Sequence, residues 1–136
     1  MKKTIVLVAM AVFVLAGSAF AQDLVGKWVV SSDKSWGARD GQTEHKGIDK
    51  EGEGWTQNEK MALVVERQED GAFHGQWCGP KECEDLVGVI KSNGQIRMVD
   101  EDGYFEAEMI GDKMEACYME ADEDFRIAVC KMMEKE

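Results

Sequence analysis

Residues 85–119 read DLVGVIKSNGQIRMVDEDGYFEAEMIGDKMEACYM. Apolar or alternating segments are separated here by the turn pairs Asn93-Gly94, Asp102-Gly103 and Gly111-Asp112. Asn-Gly and Asp-Gly tolerate the left-handed backbone that a tight hairpin turn needs, and strands joined so closely can only run antiparallel. The stretch therefore predicts consecutive antiparallel strands at 85–91, 95–100, 104–110 and 113–119.

The same pattern extends in both directions. Upstream, the only proline lies in Cys78-Gly79-Pro80-Lys81-Glu82-Cys83 and turns the chain back into 72–78. Asp70-Gly71 then joins 72–78 to 60–67, and a first segment at 24–31 places Leu24, Gly26, Trp28 and Val30 on one face. Downstream, Asp122-Glu123-Asp124-Phe125 turns into 125–132. Eight strands in a meander close most simply into an up-and-down barrel, so the expected fold is all-β and antiparallel. Only the connection 32–59 is long; a short extra strand at 42–48 is compatible with it. A connection of that length in a small domain is expected to be functional or partly structured.

Three segments repeat one pattern: Leu24-Val25-Gly26-Lys27-Trp28, Phe73-His74-Gly75-Gln76-Trp77 and Leu86-Val87-Gly88-Val89-Ile90. A mid-strand glycine between large apolar residues lets a narrow barrel coil and leaves room for a facing aromatic ring.

Residues 1–21 read as a signal peptide. Lys2 and Lys3 precede an apolar run ending near Ala16, and Ala19-Phe20-Ala21 has the form of a cleavage site. The run is short for a membrane span and no second one follows it, so none is expected in the mature chain. The expected domain is 22–136, in the periplasm or secreted. The full chain holds 16 basic and 27 acidic residues, a balance of −11. Removing 1–21 takes two lysines and no acid, leaving 14 against 27, or −13. Such acidity excludes a general attraction to nucleic acid or to anionic lipid surfaces.

Cys78, Cys83, Cys117 and Cys130 form an even set in an exported chain, which points to disulfides. Cys78 and Cys83 flank the Pro80 turn, and Cys117 and Cys130 are symmetric about the acidic turn, so these pairs are favoured. On the loop-entropy account they contribute about 2 and 3 kcal/mol. A four-cysteine zinc site is the competing arrangement.

Gly26-x-Trp28 on the first strand, with Phe73-x-Gly75-x-Trp77 further on, resembles the calycins, the family of lipocalin and avidin-like barrels. The resemblance implies that Trp28 closes the barrel floor and that a last-strand arginine, here Arg126, packs across it. Gly26, Trp28, Gly75, Trp77 and Arg126 are then structural. The biotin-contacting pattern of avidins does not carry over, because the later strands offer Met98, Phe105, Met109 and Tyr118 instead of a tryptophan series.

Catalytic constellations are scarce. Histidine occurs only as His45 and His74, and neither a G-x-S-x-G nor an H-E-x-x-H motif is present. The acidic run Asp100-Glu101-Asp102-Gly103 lacks the further ligands of a calcium loop and reads as a turn. Met61, Met98, Met109, Met114, Met119, Met132 and Met133 could supply soft thioether ligands for Cu(I), but Met98, Met109 and Met114 fall where an alternating strand needs a core residue. Glu106 and Glu108 share an outward face. Neither a cofactor nor a metal is expected.

Trp36 and Trp55 lie in the long polar connection and are candidates for a lid or an aromatic contact surface. With Met98, Phe105, Met109 and Tyr118 they form the expected ligand-binding set. The functional expectation is a non-enzymatic binding barrel that takes a small apolar or amphipathic ligand. The alternative is an acidic envelope module that binds a basic protein partner, as an inhibitor or chaperone-like factor would. A cavity lined by Met, Phe and Trp would favour the first; a filled barrel with an exposed apolar patch near Trp36 and Trp55 would favour the second.

Overall fold

The structure, a computed structural model, describes residues 22–41 and 60–136. Its strands are β1 (Gly26–Gly41), β2 (Ala62–Glu69), β3 (Ala72–Cys78), β4 (Cys83–Ile90), β5 (Ile96–Val99), β6 (Tyr104–Ile110), β7 (Lys113–Ala121) and β8 (Phe125–Lys135). They form a closed eight-stranded antiparallel barrel in which each strand pairs with its sequence neighbour and β1 pairs with β8. Closure removes the unpaired strand edges that an open sheet would present.

The turns act where the sequence places them. Gly94 and Gly111 adopt positive φ, at 86° and 68°. At the Pro80 turn the Gly79 amide donates to the Glu82 carbonyl at 2.8 Å, and Cys78 and Cys83 are cross-strand partners joined by a disulfide. Cys117 and Cys130 are likewise opposed on β7 and β8 and bonded. Every cysteine of the chain is therefore paired, and the thiolates a zinc site would need are consumed.

The expectation of a loop beginning at residue 32 is corrected. β1 runs on to Gly41, with Trp36 opposite Cys130 and Arg39 opposite Ile127 on β8. Between Val30 and Ser35 the register shifts: β1 advances five positions while β8 advances two, from Met133 to Lys131. That bulge breaks the two-residue period and lies in the polar run Ser31-Ser32-Asp33-Lys34-Ser35, which is why the strand reads as ended at Ser31. Trp55, His45 and the possible strand at 42–48 lie outside the described residues.

Alternation sends one face of each strand inward. Phe73, Leu63, Ile96, Met98, Phe105, Met114 and Met133 are essentially inaccessible to water. Outward positions are largely charged, as with Glu106 and Glu108 on β6. This apolar-in, polar-out arrangement is the reverse of a membrane-spanning barrel. Among the described residues no helix is long and apolar enough to cross a membrane.

One end of the barrel is plugged. Leu24 is fully buried, its amide donating to Gln68 Oε1 at 2.9 Å, while Trp28 Nε1 donates to the Leu24 carbonyl at 2.9 Å. Trp28 is thus the floor. The cation beside it is Lys135, whose Nζ lies 5.5 Å from the ring centroid, and not Arg126. Arg126 faces outward and approaches Asp40 Oδ2 at 3.6 Å, because it alternates with the inward Phe125 and Ile127.

The mid-strand glycines do different jobs from one another. Gly88 alone receives a ring: a side chain there would occupy the space of Phe73, its cross-strand partner. At Gly75 the obstruction is the backbone of Val64 and Val65 on β2, where the β2–β3 register shifts. Gly26 has φ +127° and lies under the Lys135 side chain, so its role is conformational.

Candidate functional site

The inner wall is ordered in rows by strand register. One row runs Phe73, Gly88, Met98, Phe105, Tyr118, Val129 and Gly37 from β3 around to β1. Met98, Phe105 and Tyr118 are thereby neighbours. The rings of Trp77 and Phe105 lie 4.9 Å apart between centroids, and those of Phe105 and Tyr118 4.8 Å apart, both pairs tilted. Such edge-inclined contacts add to the stabilisation from burial itself.

Met109 belongs elsewhere. It lies in the row Met109, Met114, Met133 and Val30 near the plugged end. Trp36 is on the outer face of β1, 44% exposed, opposite Cys130. The expected ligand-binding set is therefore divided: three members share the inner wall, Met109 lies deeper, Trp36 faces out, and Trp55 falls outside the described residues.

Between the aromatic and methionine rows runs Ile90, Ile96, Ala107, Ala116, Lys131 and Ser35. Lys131 is 6% exposed and alternates with buried Val129 and Met133, so a cationic side chain is set into the apolar wall. Its row neighbours Ala116 and Ser35 are small, which accommodates the long lysine stem. Ser35 and Ser31 are buried as well, and the Ser31 hydroxyl has no hydrogen-bond partner. On the other side of the aromatic row stand Glu120, Ile127 and Arg39, and the Arg39 Nε is also buried without a partner. Buried polar atoms without partners are uncommon and costly, and they mark places where a further hydrogen-bonding group fits.

Tyr118 connects the apolar and polar parts. Its hydroxyl donates to Glu120 Oε2 at 2.8 Å, and its ring covers Gly103 in the β5–β6 turn. Burial holds the phenol well above its ordinary pKa, and the Glu120 hydrogen bond and the carboxylates of Asp100, Glu120 and Asp102 add to the effect. Tyr118 is thus a neutral donor at any physiological pH. Asp100 fixes the adjacent turn, with Oδ1 accepting from the Gly103 amide at 2.8 Å and the Asp102 amide at 3.2 Å.

The inner wall thus sets a few buried polar groups among apolar side chains. His74, the described histidine, is exposed on the outer face of β3. Among the described residues no group of three or more His, Cys, Asp or Glu side chains is arranged to hold a metal ion.

Sequence reasoning missed Lys131, Ser31, Ser35, Arg39 and Glu120. Lys131 was legible, since Ile127-x-Val129-x-Lys131-x-Met133 puts it in phase with core positions. Ser35 and Arg39 were not, because their phase is set beyond the bulge. No protein-family model, curated protein or solved structure matches this chain, so its likeness to the calycin barrels rests on strand plan and floor tryptophan alone.

Proposed function

We propose that this chain is an exported, non-enzymatic, calycin-like binding protein that holds a small amphipathic molecule against the inner wall that runs from β5 around to β1. The observation that carries this reading is the polar set Lys131, Ser31 and Ser35, each more than nine-tenths buried within an apolar barrel. A ligand site of this type is an apolar surface with a few fixed polar groups that orient the guest. Met98, Phe105 and Val129 would face the apolar body, while the Ser31 hydroxyl and the Arg39 Nε, buried without partners, suit a head group rich in acceptors. Two disulfides fit an oxidising compartment outside the cytoplasm, in keeping with removal of 1–21 as a signal peptide.

Native mass spectrometry of the protein purified gently from its own envelope tests the reading. The expected species is residues 22–136 less four hydrogens, carrying a discrete small adduct that Lys131→Met loses while keeping both disulfides. The bare oxidised mass in both proteins would overturn it.

A further inference from the structure

The outer wall carries a feature that the inner site does not use. On β4, β5 and β6 the outward residues Val87, Val99 and Tyr104 are direct cross-strand partners, and Val89 lies one step along β4 on the same side. Their exposures are 47%, 49%, 51% and 49%, so four large apolar side chains form one patch open to water. Leu86, Ile96, Met98 and Phe105 are buried on the inner side of the same strands, so around Val87, Val89 and Val99 the wall is apolar on both faces. Nothing in barrel closure requires that of the outer face. Contiguous exposed apolar surface of this kind is typical of interaction sites.

The surroundings of the patch define the partner. Asp85 precedes Val87 on the outer side of β4, and the exposed Glu101 and Asp102 border Val99 and Tyr104. Beyond Tyr104 a shallow groove of about 190 Å³ is lined by Gln95, Arg97, Glu106, Glu108, Glu115 and Cys117. Arg97, the cation in that lining, is bonded to Glu106 at 2.9 Å, which leaves Glu108 and Glu115 to set the sign of the groove. A second copy of this chain would bring the same acids against these, at a net charge of −11 per chain. An anionic lipid surface is disfavoured for the same reason.

We infer that the outer face of β4–β6 docks a basic amphipathic polypeptide segment, its apolar side chains on Val87, Val89, Val99 and Tyr104 and its lysines or arginines over Glu108 and Glu115 in the groove. The patch supplies the desolvated centre of the contact, and the acids supply steering and orientation. This surface is separate from the inner wall, and either can function without the other.

The probe is a synthetic amphipathic peptide built of leucine and lysine, titrated against the full mature chain by fluorescence anisotropy. Binding should weaken about tenfold in Val99→Ser/Tyr104→Ser, which removes buried apolar area without adding charge. It should also weaken several-fold in Glu108→Gln/Glu115→Gln and fall with added salt. Circular dichroism melts control for folding, and Lys131→Met should bind the peptide normally. Replacing the peptide's lysines with glutamates, or its leucines with serines, should abolish binding. Failure of the leucine–lysine peptide to bind overturns the inference. So does equal binding of the serine peptide, or a dimer in sedimentation that Val99→Ser/Tyr104→Ser dissociates.

Discussion

Lys135 stands over the ring of Trp28, its Nζ 5.5 Å from the centroid, and is the cation of the plugged end. Its Nζ also reaches the Asp23 carbonyl at 3.4 Å, so it ties the last strand to the segment that enters the first. Arg126 has no part in this, being paired with Asp40 at the surface with both side chains more than half exposed. Lys135→Ala should therefore cost about 0.5–1 kcal/mol through the lost cation–π contact, and Arg126→Ala close to nothing. Urea unfolding of the two variants checks this, and the reverse order would restore the arginine to the floor.

Gly88 and Gly75 should respond differently to a methyl group. At Gly88 the obstacle is the Phe73 ring, which a smaller residue would withdraw. Gly88→Ala should cost about 1–3 kcal/mol, and Phe73→Leu in the same chain should recover part of it. At Gly75 the obstacle is β2 backbone, which no side-chain exchange removes. Gly75→Ala should be as harmful or worse, and trimming Trp77 should not rescue it. A double-mutant cycle at each site separates the cases.

The strand plan was legible because the chain supplies a tight turn at nearly every reversal, and because each register is held by inward apolar residues. β2 to β8 fall within a few residues of their expected bounds for that reason. β1 was not legible beyond Ser31, because a bulge shifts the phase of a polar segment whose partner, β8, is distant in sequence. The buried polar set is harder to read: Ser35 and Arg39 lie past that bulge, and only the alternation of Lys131 with Val129 and Met133 places it inside. The outer patch is written plainly in Leu86-Val87-Gly88-Val89, but a continuous apolar run does not say which of its faces remains uncovered.

Tyr118 makes the fold sensitive to alkali. Its folded pKa is raised by burial first, then by Glu120 and neighbouring carboxylates, whereas the unfolded phenol titrates near the ordinary value of 10.0. Below that pH both states hold the proton and the contribution is fully present. Above it the unfolded state releases its proton while the folded state retains it, so stability falls as pH rises. Tyr118→Phe should flatten this decline above about pH 10 relative to the parent chain. Equal slopes in chemical unfolding at a series of alkaline pH values would show that the phenol is freely solvated.

Trp28 and Trp36 share a strand and differ in every physical respect. The Trp28 indole is 3% exposed and its N–H is spent on the Leu24 carbonyl, so Trp28→Ala would open a cavity and orphan an acceptor. A loss of about 3–5 kcal/mol is expected, which many small barrels do not survive; Trp28→Phe, losing the hydrogen bond but keeping most of the ring, should cost less. Trp36 lies outside the barrel and past the bulge, opposite Cys130 of the β7–β8 disulfide. Its contact is a cross-strand pair at a half-open surface, worth about 0.2–1 kcal/mol, so Trp36→Ala should leave the melting transition nearly in place. Trp36 would then be available for recognition without a structural penalty. A loss at Trp36 comparable to that at Trp28 would instead make the extension of β1 along β8 an essential part of barrel closure.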